Sequence, residues 1–169
     1  MKEKKIEQQA MEQRKTINVM IESPRGNNYK LDYEPDTHSF RLNKILPAGL
    51  SFPFDFGMIP GTKGEDGDPL DIIVISELST FPGCLMNVRI IGALQAEQTE
   101  RDGKTFRNDR FIGIPDVSQL FPEVNELEQL PESILNQLEH FFKNYNEQAG
   151  KQFRFTARLS AAEAHKLII

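Results

Sequence analysis

Short segments in which apolar and polar residues alternate recur along the chain and predict a fold rich in β-strands. The alternation is clearest at residues 40–43 (Phe-Arg-Leu-Asn) and 152–155 (Gln-Phe-Arg-Phe), where every second side chain would face a core. The predicted strands are residues 17–22, 29–33, 39–46, 72–75, 86–96, 106–114 and 153–159. Since Pro and Gly mark turns between them and no βαβ alternation is present, an antiparallel or mixed barrel is favoured.

Two segments near the C-terminus have helical features instead. Residues 132–146 carry an apolar stripe at helical spacing, with Pro131 at the start and Gly150 beyond the end, which predicts a helix that packs on the barrel. The sequence Ser-Ala-Ala-Glu at 160–163 is a capping box, and it predicts a short helix that runs through Lys166. The fold class is therefore α+β.

Length and charge limit the domain organisation and the class of partner. The first 15 residues are rich in Lys, Glu and Gln and predict a charged arm, whereas residues 16–169 predict a single domain. A net charge of −5 argues against a general nucleic-acid binder. The chain has no apolar run of roughly 20 residues and no secretory signal, so we expect a cytoplasmic protein without a membrane partner.

An acidic turn at residues 65–71 is the strongest sign of chemistry. It reads Glu-Asp-Gly-Asp-Pro-Leu-Asp and runs directly into the apolar residues 72–75. Gly67 and Pro69 favour a fixed turn, and carboxylates crowded against an apolar strand are costly without a positive partner. Oxygen ligands of this kind suit Mg²⁺ or Ca²⁺. A solvated loop is the competing interpretation.

Residues 66–71 resemble the signature D-(S/G/N)-D-P-x-D of the soluble family I inorganic pyrophosphatases. The resemblance extends from about residue 19 to residue 168. Other matching segments are Ile21-Glu22-Ser23-Pro24, Lys30-Leu31-Asp32, Phe52-Pro53, Phe56-Gly57, Pro82-Gly83 and the helix segment from His140 to Tyr145. It implies an OB-like five-stranded β-barrel with additional strands and two flanking C-terminal helices. It also implies a homo-oligomer, commonly a hexamer.

The resemblance further implies a role for individual residues. Three or four Mg²⁺ ions, with Mn²⁺ as an alternative, would bridge the two phosphates of pyrophosphate. Asp66 and Asp71 would bind metal, Asp68 would accept a proton from water, and Glu22 and Asp32 would orient metal-bound water. The residues that would bind the substrate are Lys30, Lys44, Arg110 and Tyr145.

Several positions depart from the family pattern. Lys44 replaces an arginine and so loses bidentate phosphate contact. Phe52 and Phe56 replace two tyrosines, and Phe56 therefore lacks a hydroxyl that would donate to phosphate. Asn146 replaces a lysine that follows the helix tyrosine.

The heaviest departure lies in the hairpin around residues 101–104. Where the family has two metal-binding aspartates, the matching positions are Gln98 and Asn108, with Arg110 at the position of a lysine. Asn108 is the predicted third metal ligand. Glu97 or Asp109 is the alternative if the register slips by one residue.

These substitutions leave several functions open. The first is Mg²⁺-dependent hydrolysis of inorganic pyrophosphate with impaired or altered efficiency. Hydrolysis of a related phosphoanhydride is a variant of it, and a non-catalytic protein that binds metal and phosphate is the second. An oligonucleotide-binding barrel is the third, although no basic, aromatic face is apparent in the sequence.

Overall fold

The computed structural model describes Lys4 and residues 15–168. The predicted arm at residues 1–15 therefore lies outside the described residues, apart from Lys4 and Lys15. The strands are β1 (Thr16–Ser23), β2 (Tyr29–Glu34), β3 (Ser39–Ile45), β4 (Asp55–Ile59), β5 (Leu70–Val74), β6 (Leu85–Thr99), β7 (Thr105–Arg107), β8 (Arg110–Pro115) and β9 (Gln152–Ser160). The helices are α1 (Glu132–Gln148) and α2 (Ala161–Ile168), with a 3-10 turn at Leu127–Gln129.

Five strands close into a ring in the order β1-β4-β5-β8-β6 and back to β1. β5 and β8 run parallel, and the other neighbours in the ring are antiparallel. β7 and β9 pair with β6 outside the ring, and β2 and β3 form a separate hairpin. The predicted mixed barrel with additional strands and two C-terminal helices is confirmed.

The barrel residues divide between two apolar clusters. One cluster joins the barrel to α1 and includes Ile73 together with Phe142. The other joins it to α2 and includes Ile72, Val74 and Ala164. Successive side chains of β5 thus enter different clusters, which explains why this strand is apolar without alternation.

Both predicted helices are confirmed. α1 begins at Glu132 after Pro131 and extends two residues beyond the predicted end. At the start of α2, the backbone N–H of Glu163 donates to Ser160 Oγ at 3.2 Å, and the backbone N–H of Ser160 donates to Glu163 Oε2 at 2.8 Å. These two bonds are the expected capping box.

Two strand predictions need correction. β4 was not predicted, because all five of its residues are buried and a short segment buried on both faces lacks alternation. The predicted strand at 106–114 is wrong as a single strand, since it divides into β7 and β8 at Asn108 and Asp109. There the Asp109 carboxylate accepts the backbone N–H of Ala96 at 3.1 Å, a donor that regular strand pairing would use.

Candidate active site

The acidic turn is held by hydrogen bonds of its own. Asp66 Oδ1 accepts the backbone N–H of Asp68 at 3.0 Å, and the backbone N–H of Gly64 donates to the Asp68 carbonyl at 2.7 Å. Gly67 has a φ of 88°, a backbone conformation that is costly for most other residues. The turn delivers the chain to Asp71 in β5, which pairs in register with Arg110 of the parallel strand β8.

The predicted site residues line two cavities that adjoin each other. The central cavity has a volume of about 290 Å³ and contains nine of them, namely Lys30, Lys44, Phe56, Asp66, Asp68, Asp71, Asn108, Arg110 and Tyr145. An adjoining cavity of about 640 Å³ contains Glu22 and Asp32, and it shares Lys30, Asp68 and Asp71 with the first. The structure therefore brings these residues together, whereas their individual roles stay predictions.

One wall of the central cavity is basic. Lys30 and Lys44 are paired across the β2–β3 hairpin. Lys30 lies 3.1 Å from Asp32, and the Lys44 ammonium lies 4.1 Å from the centre of the Tyr145 ring. Burial, together with the like charges of Lys30 and Lys151, lowers the pKa of Lys44 to about 8. Burial also opposes the charged form of Lys30, but Tyr145, Asp32 and Asp71 outweigh it and raise the pKa of Lys30.

The carboxyl groups facing this wall have raised pKa values. Burial and then the negative charge of Asp66 raise the pKa of Asp68. Burial raises the pKa of Asp71, although the Arg110 and Lys30 charges act in the opposite direction. Glu22 is 8% exposed, and burial raises its pKa to about 7 despite a hydrogen bond from the backbone of Tyr33. Burial is the largest cause for all three groups, and other carboxylates of the site add to it.

The central cavity is also lined by a hydrogen-bonded chain, which we call the hairpin network. It consists of Asp71, Arg110, Asn108, Gln98, Glu100 and Lys151. Arg110 Nη1 donates to Asp71 Oδ2 at 2.5 Å and to Asn108 Oδ1 at 2.6 Å. Asn108 Nδ2 donates to Gln98 Oε1 at 2.8 Å, Gln98 Nε2 donates to Glu100 Oε1 at 2.7 Å, and Glu100 pairs with Lys151 at 3.0 Å.

Two members of this network, Glu100 and Lys151, were not predicted from the sequence. Glu100 lies two residues after Gln98, and a period of two places both side chains on one face of a strand. That spacing could have identified Glu100. Nothing in the sequence indicates Lys151, because it follows α1 and reaches the hairpin only through the tertiary fold.

The two alternative hairpin acids are engaged elsewhere. Glu97 pairs with Arg154 at 2.6 Å, and Asp109 pairs with Arg107 at 2.8 Å. Neither is among the described residues that line the central cavity. Asp109 does line a neighbouring cavity of about 180 Å³, whose other lining residues include Asp66 and Asp71.

Aromatic rings surround the Arg110 guanidinium. Its central carbon lies 5.9 Å from the ring centre of Phe56, 5.0 Å from that of Phe142 and 5.2 Å from that of Phe153. Arg110 is 5% exposed, and rings at these distances attract a cation. We call this arrangement the aromatic cage. Phe56, which lacks the hydroxyl of the tyrosine that it replaces, supplies one ring of the cage.

Two buried polar atoms of this site lack a protein partner. Among the described residues, neither Arg110 Nε nor Tyr145 Oη has a hydrogen-bond partner. Buried donors are rarely left unpaired in native proteins, and both residues line the central cavity. An anion with several acceptor oxygens would satisfy them.

The carboxylates of the described residues do not form a complete metal cage on their own. Across residues 15–168, no three carboxylate, imidazole or thiol side chains converge closely enough to form one. The donor set of the acidic turn nevertheless suits a hard cation, because Asp66 and Asp68 offer charged oxygens and Mg²⁺ commonly takes one or two carboxylates with water and phosphate completing its shell. Metal and phosphate together therefore fit this wall better than metal alone.

Comparison with known proteins agrees with this arrangement. Residues 19–169 match the family model described as inorganic pyrophosphatase. An inorganic pyrophosphatase of Halalkalibacterium halodurans is 36% identical over 91% of this chain and 91% of its own, and one of Sulfolobus acidocaldarius is 32% identical over 90% and 87%. The crystal structure of inorganic pyrophosphatase from Thermus thermophilus has a TM-score of 0.82 at 31% identity, covering 90% of this chain and 87% of that chain. No helix within the described residues has the length and hydropathy needed to cross a membrane.

Proposed function

The chain belongs to the inorganic pyrophosphatase family of hydrolases, and from this premise we propose that it hydrolyses inorganic pyrophosphate with Mg²⁺, or alternatively Mn²⁺, as the cation. The observation that carries the proposal is a pair of buried donors without partners, Arg110 Nε and Tyr145 Oη, in a cavity that also holds the acidic turn. Phosphate oxygens would satisfy these donors, and the carboxylates would hold the metal.

Binding of the substrate falls to the basic side of the cavity. Lys30 and Lys44 extend from neighbouring positions of the β2–β3 hairpin and would neutralise phosphate oxygens as point charges. Arg110 and Tyr145 add the two free donors. Because the aromatic cage and α1 fix these two side chains, little side-chain freedom would be lost on binding.

The acidic turn would hold the cation and accept a proton. Asp66 and Asp71 are the proposed metal ligands, and Glu22 and Asp32 would support them from the adjoining cavity. When bound, Mg²⁺ would act as a Lewis acid on the phosphoryl oxygens and make water more acidic. Asp68 would accept the proton of the attacking water, and its raised pKa brings it nearer to the pH range in which a general base works best.

We expect the rate to be below that of a site with the full set of family residues. Phe56 offers no hydroxyl, and one hydrogen bond to a charged group is worth about 1.5–3 kcal/mol. Lys44 cannot make the bidentate contact of an arginine. The chemistry is therefore retained while phosphate stabilisation is weaker.

Phosphate release from pyrophosphate in Mg²⁺ tests the proposal, with nucleoside triphosphates measured beside it. Asp68→Asn supplies the control, because the amide can still accept a hydrogen bond but cannot take a proton. Turnover of pyrophosphate well above this variant supports the proposal. Turnover of triphosphates alone would move the activity to a related phosphoanhydride.

A second function, binding of metal and phosphate without catalysis, is favoured by the hairpin network. Gln98 and Asn108 are neutral amides that are hydrogen-bonded to each other, so they add no negative charge with which to hold a further metal ion. Calorimetry that detects pyrophosphate binding in Mg²⁺, beside phosphate release no greater than that of Asp68→Asn, would establish this function in place of hydrolysis.

We also propose that the chain assembles with itself, by resemblance as a hexamer. Large apolar side chains before β6, at its first residue and after β8 are exposed, namely Leu78, Phe81, Leu85, Val117 and Leu120, and such side chains would mark an interaction surface if they form one patch. Light scattering on the purified protein measures the state, and a monomer at micromolar concentration would contradict the proposal. The cytoplasmic location stays a prediction.

A further inference from the structure

The contacts of Arg110 resemble those expected of a bound cation. One nitrogen, Nη1, lies 2.5 Å from Asp71 Oδ2 and 2.6 Å from Asn108 Oδ1. A Mg²⁺ ion lies about 2.0–2.1 Å from its oxygen ligands. Because these two oxygens approach a single positively charged atom, a small cation bridging them would need nearly the same position as that nitrogen.

We propose that the guanidinium of Arg110 takes the place of one divalent cation in the central cavity, and that Asn108 and Gln98 position it instead of binding metal. This inference rests on the proposed function only in taking the cavity to be a site for divalent cations. It concerns the wall formed by the hairpin network. Asp66 stays a proposed metal ligand, and Asp71 keeps Oδ1 for metal while its Oδ2 accepts from Arg110.

The hydrogen bonds of the network support this assignment. Asn108 Oδ1 accepts from Arg110, while Asn108 Nδ2 donates to Gln98 Oε1. Gln98 Nε2 then donates to Glu100, which also pairs with Lys151. Each amide oxygen thus already accepts a hydrogen bond from a donor of the chain, which fixes both side chains around Arg110 rather than around an empty metal position.

The charge of the network leads to the same conclusion. Asp71 and Glu100 are negative, Arg110 and Lys151 are positive, and each acid is paired with one of the bases. The network is therefore neutral without an added ion. Asn108 and Gln98 offer only neutral oxygens, which cannot balance the charge of a second cation placed beside Arg110.

The aromatic cage explains why Arg110 stays in this position. The rings of Phe56, Phe142 and Phe153 lie within 5.0–5.9 Å of the guanidinium carbon. Each ring favours a cation over its face, and the side chain is only 6% exposed. A guanidinium fixed in this way leaves Nε as a donor for a substrate anion. Phe56 and Arg110 thus act as a pair.

The test counts bound ions directly. Free Mn²⁺ is measured by electron paramagnetic resonance during titration of metal into the protein without substrate. Arg110→Met removes the charge but keeps an apolar side chain in the cage, and we expect it to bind one more Mn²⁺ per chain than the wild type. Asn108→Asp combined with Arg110→Met adds a charged ligand, so we expect the added site to bind at least tenfold more tightly.

A control and a second variant keep the inference open to refutation. Arg25 lies 5.5 Å from the Phe54 ring outside the central cavity, and Arg25→Met should leave the Mn²⁺ count unchanged. Asn108→Ala should also leave it unchanged in the wild-type background. Loss of one Mn²⁺ in Asn108→Ala would identify Asn108 as a ligand and overturn the proposal. An unchanged count in the double variant, shown to be folded by circular dichroism, would also overturn it.

The count is independent of catalysis. Wild-type protein that fails to release phosphate would refute the proposed hydrolysis but would leave the Mn²⁺ comparison between variants intact. Conversely, an active enzyme whose Arg110→Met variant gains no ion would refute only the substitution of a cation by arginine.

Discussion

The two sides of the central cavity differ in whether their carboxylates are paired with a cation of the chain. On the acidic turn, Asp66 and Asp68 form no ion pair with any residue that the structure describes. The pKa of Asp68 is raised by burial, and the negative charge of Asp66 adds to this effect. On the hairpin side, Asp71 and Glu100 are paired with Arg110 and Lys151. The exposed carboxylates of Asp66 and Asp68 are therefore free to bind a cation from solution, whereas those of Asp71 and Glu100 already face a cation of the chain.

This difference indicates that the two walls have separate roles in binding cations. The acidic turn is suited to an exchangeable metal ion, whereas on the hairpin side the guanidinium of Arg110 is a fixed positive charge beside Asp71. Lys30 pairs with Asp32 at 3.1 Å and lines both the central and the adjoining cavity. Variants on either side should therefore change different measurable properties.

The largest effect is expected on the acidic side, from Asp68→Asn. If Asp68 is the general base, its loss should lower the rate of pyrophosphate hydrolysis by about 10²–10⁴-fold. Initial-rate assays in Mg²⁺ measure this change. Asp102→Asn, at the exposed tip of the hairpin, is the control and should not change the rate. A loss of less than threefold in Asp68→Asn would remove this residue from the mechanism.

The next effect concerns the free energy of unfolding, which the buried Glu22 carboxylate should lower when it is ionised. Its pKa is raised from 4.5 to about 7 by burial, so its contribution to folding is complete below pH 4.5 and is lost as the pH rises through 7. Glu22→Gln keeps the acceptor for the backbone N–H of Tyr33 without the charge. Relative to the wild type, it should gain about 3 kcal/mol at pH 8 compared with pH 4.

Urea unfolding of Glu22→Gln and wild type at the two pH values measures this difference. Glu34→Gln on the neighbouring hairpin serves as the comparison, because the Glu34 carboxylate pairs with Arg41 and its pKa is lowered. It should show no gain at pH 8. An equal gain in stability for both variants at pH 8 would mean that ionised Glu22 does not destabilise the fold as predicted.

Phe56→Tyr sharpens the comparison from the hairpin side. A tyrosine hydroxyl in the central cavity could donate to phosphate, and a bond of about 1.5–3 kcal/mol corresponds to roughly 10–100-fold in rate. The measurement is kcat/KM for pyrophosphate. Phe155→Tyr, which lies outside the described lining of the cavity, should have no effect. If Phe56→Tyr lowers kcat/KM instead, the added hydroxyl disturbs the packing around Arg110 more than it contributes to phosphate binding.

The smallest expected effect is a pH dependence of substrate capture. The pKa of Lys44 is lowered to about 8, so its positive charge is present below pH 8 and is lost above it. We expect kcat/KM to fall several-fold between pH 8 and 9.5, and Lys44→Arg should remove this part of the profile because arginine stays charged. A fall of the same size in both proteins would assign it to another group.

Local patterns in the sequence were sufficient for much of the fold. Alternation located strands β2 and β3, although not their pairing, and the capping box placed the start of α2 at the correct residue. β4 could not be found in this way, since a strand buried on both faces has no polar side to alternate with. The division of residues 106–114 depends on one hydrogen bond from Ala96 to Asp109, a contact between distant positions.

The candidate site shows the same limit. The acidic turn is continuous in sequence, and its signature was sufficient to locate one wall. The aromatic cage joins Arg110 to Phe142 in α1 and to Phe153 in β9, and the link from Glu100 to Lys151 likewise depends on how α1 ends beside the hairpin. From the sequence alone, Gln98 and Asn108 indicated only the loss of two metal-binding aspartates, because their hydrogen-bond partners depend on the tertiary fold.

The register between β5 and β8 has a consequence for how the site would respond to its surroundings. Asp71 and Arg110 are neighbours on parallel strands of the closed barrel, so the charge that faces this carboxylate is attached to the backbone and cannot diffuse away. Chelators and fluctuations in free magnesium would act on the acidic turn alone. We therefore expect the number of occupied cation positions to depend only weakly on the magnesium concentration, because one positive charge of the site belongs to the protein itself.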